Sequence, residues 1–390
     1  MLLGPPRPWA AGTTAEPDTT AKAPLRSDLS ATGRSTDRGF FPIGVWLQSP
    51  DHIAEFKGIG INVFVGFYGN LDQAGLAKFA NSGMPLIAGQ NPTGLTSPQR
   101  AAIVAWLAPD EPDNSQPNGW GGYGPCVTPD QLIASYKSLK DKDSSRPILL
   151  NFGRGVSDIH WHGRGTCTGQ TETYYPFAIG GGDIISFDIY PVAGYGGRLE
   201  LVSNGIDNLK AWISKSGREK IIWNAIEAVP ITSGDVPTAA QERAEVWMSI
   251  IHGSHGIVYF VHQFGKNSDR LVREDGIFNF PALAHAVAAI NAEVTGLAPV
   301  LNSPTIVDGV SVSSHAATPI GTIVKQQGRA TYVFAVAERN NAGSATFTLP
   351  GMPSGTVQVL GEGRKVTVSN HVFEDEFDGY GVHLYQITDR

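Results

Sequence analysis

"FPIGVWLQSPDHIAEFKGIGINVFVGFYG", residues 41–69, decides the fold. Its apolar start, 41–48, predicts a strand. Ser49 or Asp51 then caps a short helix that Gly58 and Gly60 end. The run at 61–69 is rich in Val, Ile and aromatic side chains and predicts a second strand. A strand–helix–strand unit of about 30 residues is the building block of a parallel sheet.

The alternation continues outward. Residues 71–83 predict a helix with Leu76, Phe79 and Ala80 on one face and Gly83 as its stop. A third strand follows at 84–90. Ser97 caps the next helix with Pro98 at its first position, and "AWLAPDE" (105–111) is the fourth strand. Thr128 and Pro129 open a helix over 128–143, before a fifth strand at 146–153. "TETYYPFAIGG" is a weak helix. The sixth, seventh and eighth strands fall at 183–192, 220–228 and 257–264. The helices between and after them lie in "RLELVSNGIDNLKAWISKSG", over 238–256 and over 281–297. Eight strands alternating with eight helical segments over about 260 residues predict a (β/α)8 barrel. An open doubly wound sheet is the alternative. It calls for a glycine-rich phosphate loop after an early strand, which the sequence lacks.

Composition frames this reading. The chain has 390 residues, 41% hydrophobic and 17% charged, with a net charge of −7 and no long charged run. That balance argues against nucleic acid or an anionic membrane as partner. No stretch reads as the roughly 18 apolar residues of a membrane span. Residues 1–38, rich in Pro, Thr, Ala and Ser, predict a disordered lead-in that starts either as a cut export signal or at a mis-set beginning. The barrel is expected over 39–302. From 303 to 390, short alternating runs such as "TYVFAVAER" and "KVTVSN", split by turns such as "NNAG", predict an antiparallel β-sandwich accessory domain. A monomer without cofactor or metal is expected. Cys126 and Cys167 lie in the loops after strands four and five. They predict one disulfide, with two free thiols as the alternative and no spacing for zinc.

Barrel chemistry sits at the C-terminal strand ends. Glu111 closes strand four and Glu227 strand seven. Alternation aligns Leu107, Pro109 and Glu111, and likewise Trp223, Ala225 and Glu227. Asp188 and Tyr190 share a face of strand six, and Asn151 ends strand five. Glycosidic cleavage needs two such carboxyl groups, one to attack the anomeric carbon and one to shuttle the proton. Tyr190 would keep Glu227 ionised, and Asp110 would raise the proton affinity of Glu111 by repulsion.

These residues resemble a clan A retaining glycoside hydrolase. "DEP" (110–112) stands where Asn-Glu-Pro is common, "WNAIE" (223–227) supplies the strand-seven Glu, and "FDIYP" (187–191) resembles the strand-six segment. The resemblance implies a (β/α)8 barrel over roughly 41–300, with Glu111 as acid/base and Glu227 as nucleophile. Asp110 replaces the usual Asn. "VHQF" (261–264) offers His262 or Phe264 where relatives show a Trp floor. Trp46, Phe67, Tyr68, Gln90, Asn91, Trp120, Tyr123 and Trp223 are further candidates for the sugar pocket. Each has a plainer reading: Glu111 as a loop cap, Glu227 as an ion-paired strand end, Asp188 and Tyr190 as polar core, and Trp120 and Tyr123 as loop packing. His160 and His162 read as a solvated pair rather than metal ligands. The expected activity is hydrolysis of a β-linked oligo- or polysaccharide by double displacement, in a secreted protein. The alternatives are a non-catalytic carbohydrate-binding barrel and a metal-dependent barrel enzyme.

Overall fold

The computed structural model describes residues 29–30, 33–167, 172–231, 235–265 and 271–388, and the remainder of the 1–38 lead-in lies outside the described residues. The barrel strands are β1 (Ile43–Gln48), β2 (Val63–Phe67), β3 (Leu86–Gly89), β4 (Ile103–Leu107), β5 (Ile148–Phe152) and β6 (Ile184–Phe187). The seventh course is split into β7 (Ile221–Ile222) and β8 (Asn224–Glu227), and β9 (Ile257–Phe260) is the eighth. All pair in parallel with their neighbours, and β9 pairs with both β8 and β1. A bridge from Asp188 to Ala225 closes the ring. The expected barrel is therefore present.

Its interior is a narrow column of Val63, Val65, Ile87, Ala105, Leu149, Ile184, Trp223 and Val258. The opposite faces of the strands bury Phe64, Leu86, Trp106, Leu150, Phe187, Ile222 and Tyr259 under the helical shell. That shell is α1 (Ile53–Gly58), α2 (Gln73–Ser82), α3 (Pro92–Thr96), α4 (Pro129–Lys142), α5 (Tyr175–Ala178), α6 (Pro191–Gly194), α7 (Glu200–Ser216), α8 (Ala239–His252) and α9 (Pro281–Leu301). Thr128 and Thr238 each close a capping box, with Gln131 and Gln241. By length and composition α9 could cross a membrane, with mean hydropathy 1.3. Here it buries Leu283, Val287, Ile290 and Val294 in the shell.

Two sequence expectations shift. Residues 29–38 are not all free lead-in. Leu29 is buried in the interior column and bridges Ser35, because the open lower end of a barrel needs an apolar plug. Strand four ends at Leu107, so Asp110 and Glu111 stand on the loop above it rather than on the strand.

After a small hairpin of β10 (Gln263–Phe264) and β11 (Leu271–Arg273) and the helix α9, the tail adds β12 (Ser311–Ser314), β13 (Ile320–Gln327), β14 (Ala330–Ala337), β15 (Gly343–Thr348), β16 (Ser354–Val359), β17 (Arg364–Ser369), β18 (Val372–Phe377) and β19 (Val382–Thr388). They form one antiparallel sheet of order β12-β15-β18-β17-β16-β19-β14-β13 around a core of Val333, Phe347, Val357, Phe373 and Tyr385. Phe334, Val336, Val382 and Leu384 face the other way and join the shell of the barrel.

Candidate active site

The acids of the barrel fall into two groups. The first stands at the C-terminal mouth. Leaving β4, the chain turns at Glu111 through left-handed backbone, φ 41°. A non-glycine residue held there stores about 1–3 kcal/mol of strain, which persists only when neighbours enforce it. Here the Glu111 N–H donates to the Asn151 carbonyl at 3.0 Å, and the Glu111 carbonyl accepts from Asn114 N–H at 2.9 Å. The Glu111 Oε2 accepts from Asn114 Nδ2 at 2.9 Å and lies 3.7 Å from Arg164 Nη2.

Beside it, Asn151 Nδ2 donates to Asp110 Oδ1 at 3.0 Å and reaches Asp188 Oδ1 at 3.5 Å. Ser186 Oγ donates to Asn151 Oδ1 at 2.8 Å, which fixes the amide's orientation. Asp110 keeps an exposed surface, yet protein atoms crowd around its carboxyl and withhold part of its hydration. That burial, with repulsion from Glu111, pushes its carboxyl up to about 7. Burial, then Glu111, Asp110 and Asp113, raise Asp188 well above the usual range. Burial raises Tyr190 as well, with Asp188 next and a Tyr190–Asp188 hydrogen bond contributing. Asp113 locks the loop below by accepting from Gly153 N–H at 2.9 Å and Tyr175 O–H at 2.7 Å.

From Tyr190, beside Asp188, the mouth continues as an aromatic run. Tyr190 meets Phe260 at 5.0 Å between ring centroids, Phe260 meets His262 at 5.2 Å, and His262 meets Tyr68 at 6.3 Å. His262 is buried, and its Nε2 pairs with the Leu47 carbonyl. Trp46 is buried on the inner face of β1.

The second acidic group lies in the wall. Glu227 is 0% exposed, and its oxygens accept from Val192 and Ala193 N–H at 2.5 and 2.9 Å, the opening of α6. Burial raises it to about 7, against those two donors and Arg154. Glu227 in turn raises the fully buried Glu242 and Glu245 of α8, after burial itself. Tyr190 thus partners Asp188, whereas the sequence reading gave it to Glu227.

Other candidates separate further. Trp223 is fully buried over Gly256 at the lower end, beside Leu29 and Phe40, where its bulk closes the column. It does not reach the mouth. Gln90 turns outward, because the Leu139 carbonyl of α4 captures its amide at 3.1 Å. Asn91 caps α3, and Phe67 packs on Gly75 and Phe79 of α2. Trp120 is 92% exposed on the loop after β4. His160 and His162 are exposed. Among the described residues no three ligating side chains converge as a metal site. Cys126 and Cys167 form the disulfide expected between the loops after β4 and β5.

Sequence reasoning missed Trp161. A Cβ built on Gly153 would stand 2.9 Å from Glu111 Oε1 and 3.5 Å from Trp161 Cη2, so ring and carboxyl meet at one glycine. The signal was present as three glycines, Gly153, Gly155 and Gly163, flanking the Trp in sequence.

No protein-family model matches the chain, and no curated protein matches it. Solved structures do. An Anoxybacillus α-amylase aligns with 10% identity and a TM-score of 0.53, over 91% of this chain and 99% of its own. The α-amylase of Geobacillus thermoleovorans, solved with acarbose, aligns with 10% identity and a TM-score of 0.52, over 90% and 99%. A catalytic mutant of Gan42B, a GH42 β-galactosidase from G. stearothermophilus, aligns with 10% identity and a TM-score of 0.55, over 90% and 98%. At this identity the likeness is one of fold: a parallel barrel followed by an antiparallel domain.

Proposed function

We propose that this protein is a glycoside hydrolase acting on an oligo- or polysaccharide at the C-terminal mouth of its barrel, with Glu111 as the group that gives and retrieves the proton. The observation that carries this reading is the gathering of Glu111, Asp110 and Asp188 around Asn151, bordered by an aromatic wall. Carboxyl groups drive oxocarbenium chemistry, and aromatic faces suit sugar rings. The solved structures of like fold named above are an α-amylase pair and a β-galactosidase, which supports carbohydrate as substrate class. Asn114 and Arg164 hold the Glu111 carboxyl in place at the mouth.

Two residues compete for the second carboxyl. Asp188 shares the mouth with Glu111, where the Asn151 amide reaches its carboxyl at 3.5 Å. Glu227 ends the strand-seven course, and its two main-chain donors suit an ionised nucleophile, but it is fully covered. We favour Asp188, with Glu227 anchoring the segment that carries Tyr190. A disulfide suits an oxidising compartment, in keeping with secretion.

A panel of α- and β-linked 4-nitrophenyl glycosides and polysaccharides tests the class. Glu111→Gln should lower kcat about 10²–10⁴-fold on the substrate found. Asp188→Asn should do likewise, while Glu227→Gln should act mainly on stability. Loss of all turnover in Glu227→Gln with an unchanged fold would exchange the two roles. A wild type silent on the whole panel, yet binding glycans, would leave the binding-protein reading instead.

A further inference from the structure

We infer that Trp161 is the platform of a leaving-group subsite, held against Glu111 by a disulfide-stapled loop and selective for an aromatic or sugar leaving group. The inference rests on the glycosidase reading above.

Three separate observations converge on this ring. The first is its bed. Trp161 lies over Gly153, Gly155 and Gly163: Cβ atoms built there would stand 3.5, 2.7 and 3.2 Å from ring atoms. None of the three has a φ that demands glycine; at Gly155 the bare backbone admits both the ring, at 2.7 Å from a built Cβ, and Tyr175 Oη, at 2.2 Å. The second is its edge. The ring meets the same glycine as Glu111 Oε1, so a group lying on it would lie beside the carboxyl that handles the leaving oxygen. The third is the clamp. Cys167, six residues on, is bonded to Cys126. Between them Arg164 donates from its backbone to Asn114 Oδ1 at 2.7 Å and from Nε to the Ser115 carbonyl at 3.0 Å, while its guanidinium sits 5.8 Å over the Tyr123 ring and 3.7 Å from Glu111. Trp161 remains partly exposed, so one part of the ring is open to a ligand.

The ring is rigid, apolar and beside the proton donor, but on the loop after β5 rather than in the aromatic wall of Tyr190, Phe260 and His262. The two aromatic surfaces flank the acids. The wall would take the sugar that becomes the glycosyl part, and Trp161 the part that departs.

The experiment compares two leaving groups on one sugar. The 4-nitrophenyl glycoside that the wild type hydrolyses fastest is set against the corresponding glycosyl fluoride, whose leaving group is too small to touch Trp161 and needs no proton. Trp161→Ala should lower kcat/KM at least tenfold for the nitrophenyl glycoside and less than threefold for the fluoride. Trp161→Tyr, which keeps a platform, should recover most of the loss. Equal losses on both substrates, with circular dichroism unchanged, would overturn the subsite. A Trp161→Ala protein that does not fold hands the decision to Trp161→Tyr and Arg164→Met: both must show the same selective loss, smaller in size, or the inference fails. A wild type that hydrolyses neither substrate defeats the glycosidase reading itself, which is a different result from equal losses.

Discussion

Asp110 shows how one amide can arbitrate between acids. Burial and then Glu111 push its carboxyl up to about 7, while the Asn151 amide at 3.0 Å works in the opposite direction by donating to the charged form. Two substitutions should therefore move the same titration in opposite senses. Asn151→Ala removes the donor, so the Asp110 transition rises above about 7. Glu111→Gln removes the repulsion, so it falls below. Carbon-13 NMR of the aspartate carboxyls, followed from pH 4 to 9, reads both without need of a substrate. Shifts of the same sign in the two variants would mean that Asn151 and Glu111 do not share Asp110.

At the scale of elements, α8 carries an oddity. Its inward face holds Glu242 and Glu245, both fully buried and neither with a hydrogen-bond partner among the described residues, next to Glu227. Burial raises all three, Glu227 to about 7. A carboxyl whose folded pKa is raised binds its proton more tightly folded than unfolded. Stability is then greatest below the unfolded value near 4.5 and falls as pH rises through the folded value. Glu245→Leu, of similar volume, removes one such group. It should stabilise the fold by about 1–3 kcal/mol at neutral pH. The gain should grow between pH 5 and 8. Denaturant titrations at the two pH values check this, and a gain independent of pH would show that Glu245 is already partnered. The same element scale shows what the sequence made legible. Alternating apolar runs and caps such as Thr128 and Thr238 marked the strands and helices, because those signals are local. Glu111 was legible as an acid beyond an apolar strand. The glycine bed of Trp161 and the capture of Gln90 by Leu139 were not, since both arise from segments that meet only once the barrel closes. The burial of Glu227 was not legible for a related reason: alternation gives a face, but not what fills the space in front of it.

The whole molecule is joined where α8 meets the C-terminal sheet. Trp247 packs on Phe334 at 5.1 Å, Arg243 donates to the Val382 carbonyl at 2.9 Å, and Tyr380 O–H donates to the Gly197 carbonyl. Sharing buried side chains this way should make barrel and sheet unfold together, in one calorimetric transition at pH 6. The joint also contains a titrating group. His252 at the end of α8 bonds Asp207 of α7 at 2.9 Å and Glu338, just after β14, at 2.7 Å. Burial alone would lower its pKa, but those two carboxylates outweigh it and raise it to about 9. The unfolded value is near 6.5, so this contribution is complete below 6.5 and is lost as pH rises through about 9. Its size is on the order of 3 kcal/mol. Between pH 6 and 10 the midpoint of the transition should fall, and the sheet should begin to melt ahead of the barrel. His252→Gln should show the lower midpoint already at pH 6 and a flatter dependence above it. Two transitions at pH 6 would mean that the domains are only tethered, and a wild-type profile in His252→Gln would mean that the joint is held by Trp247 and Phe334 without the charge.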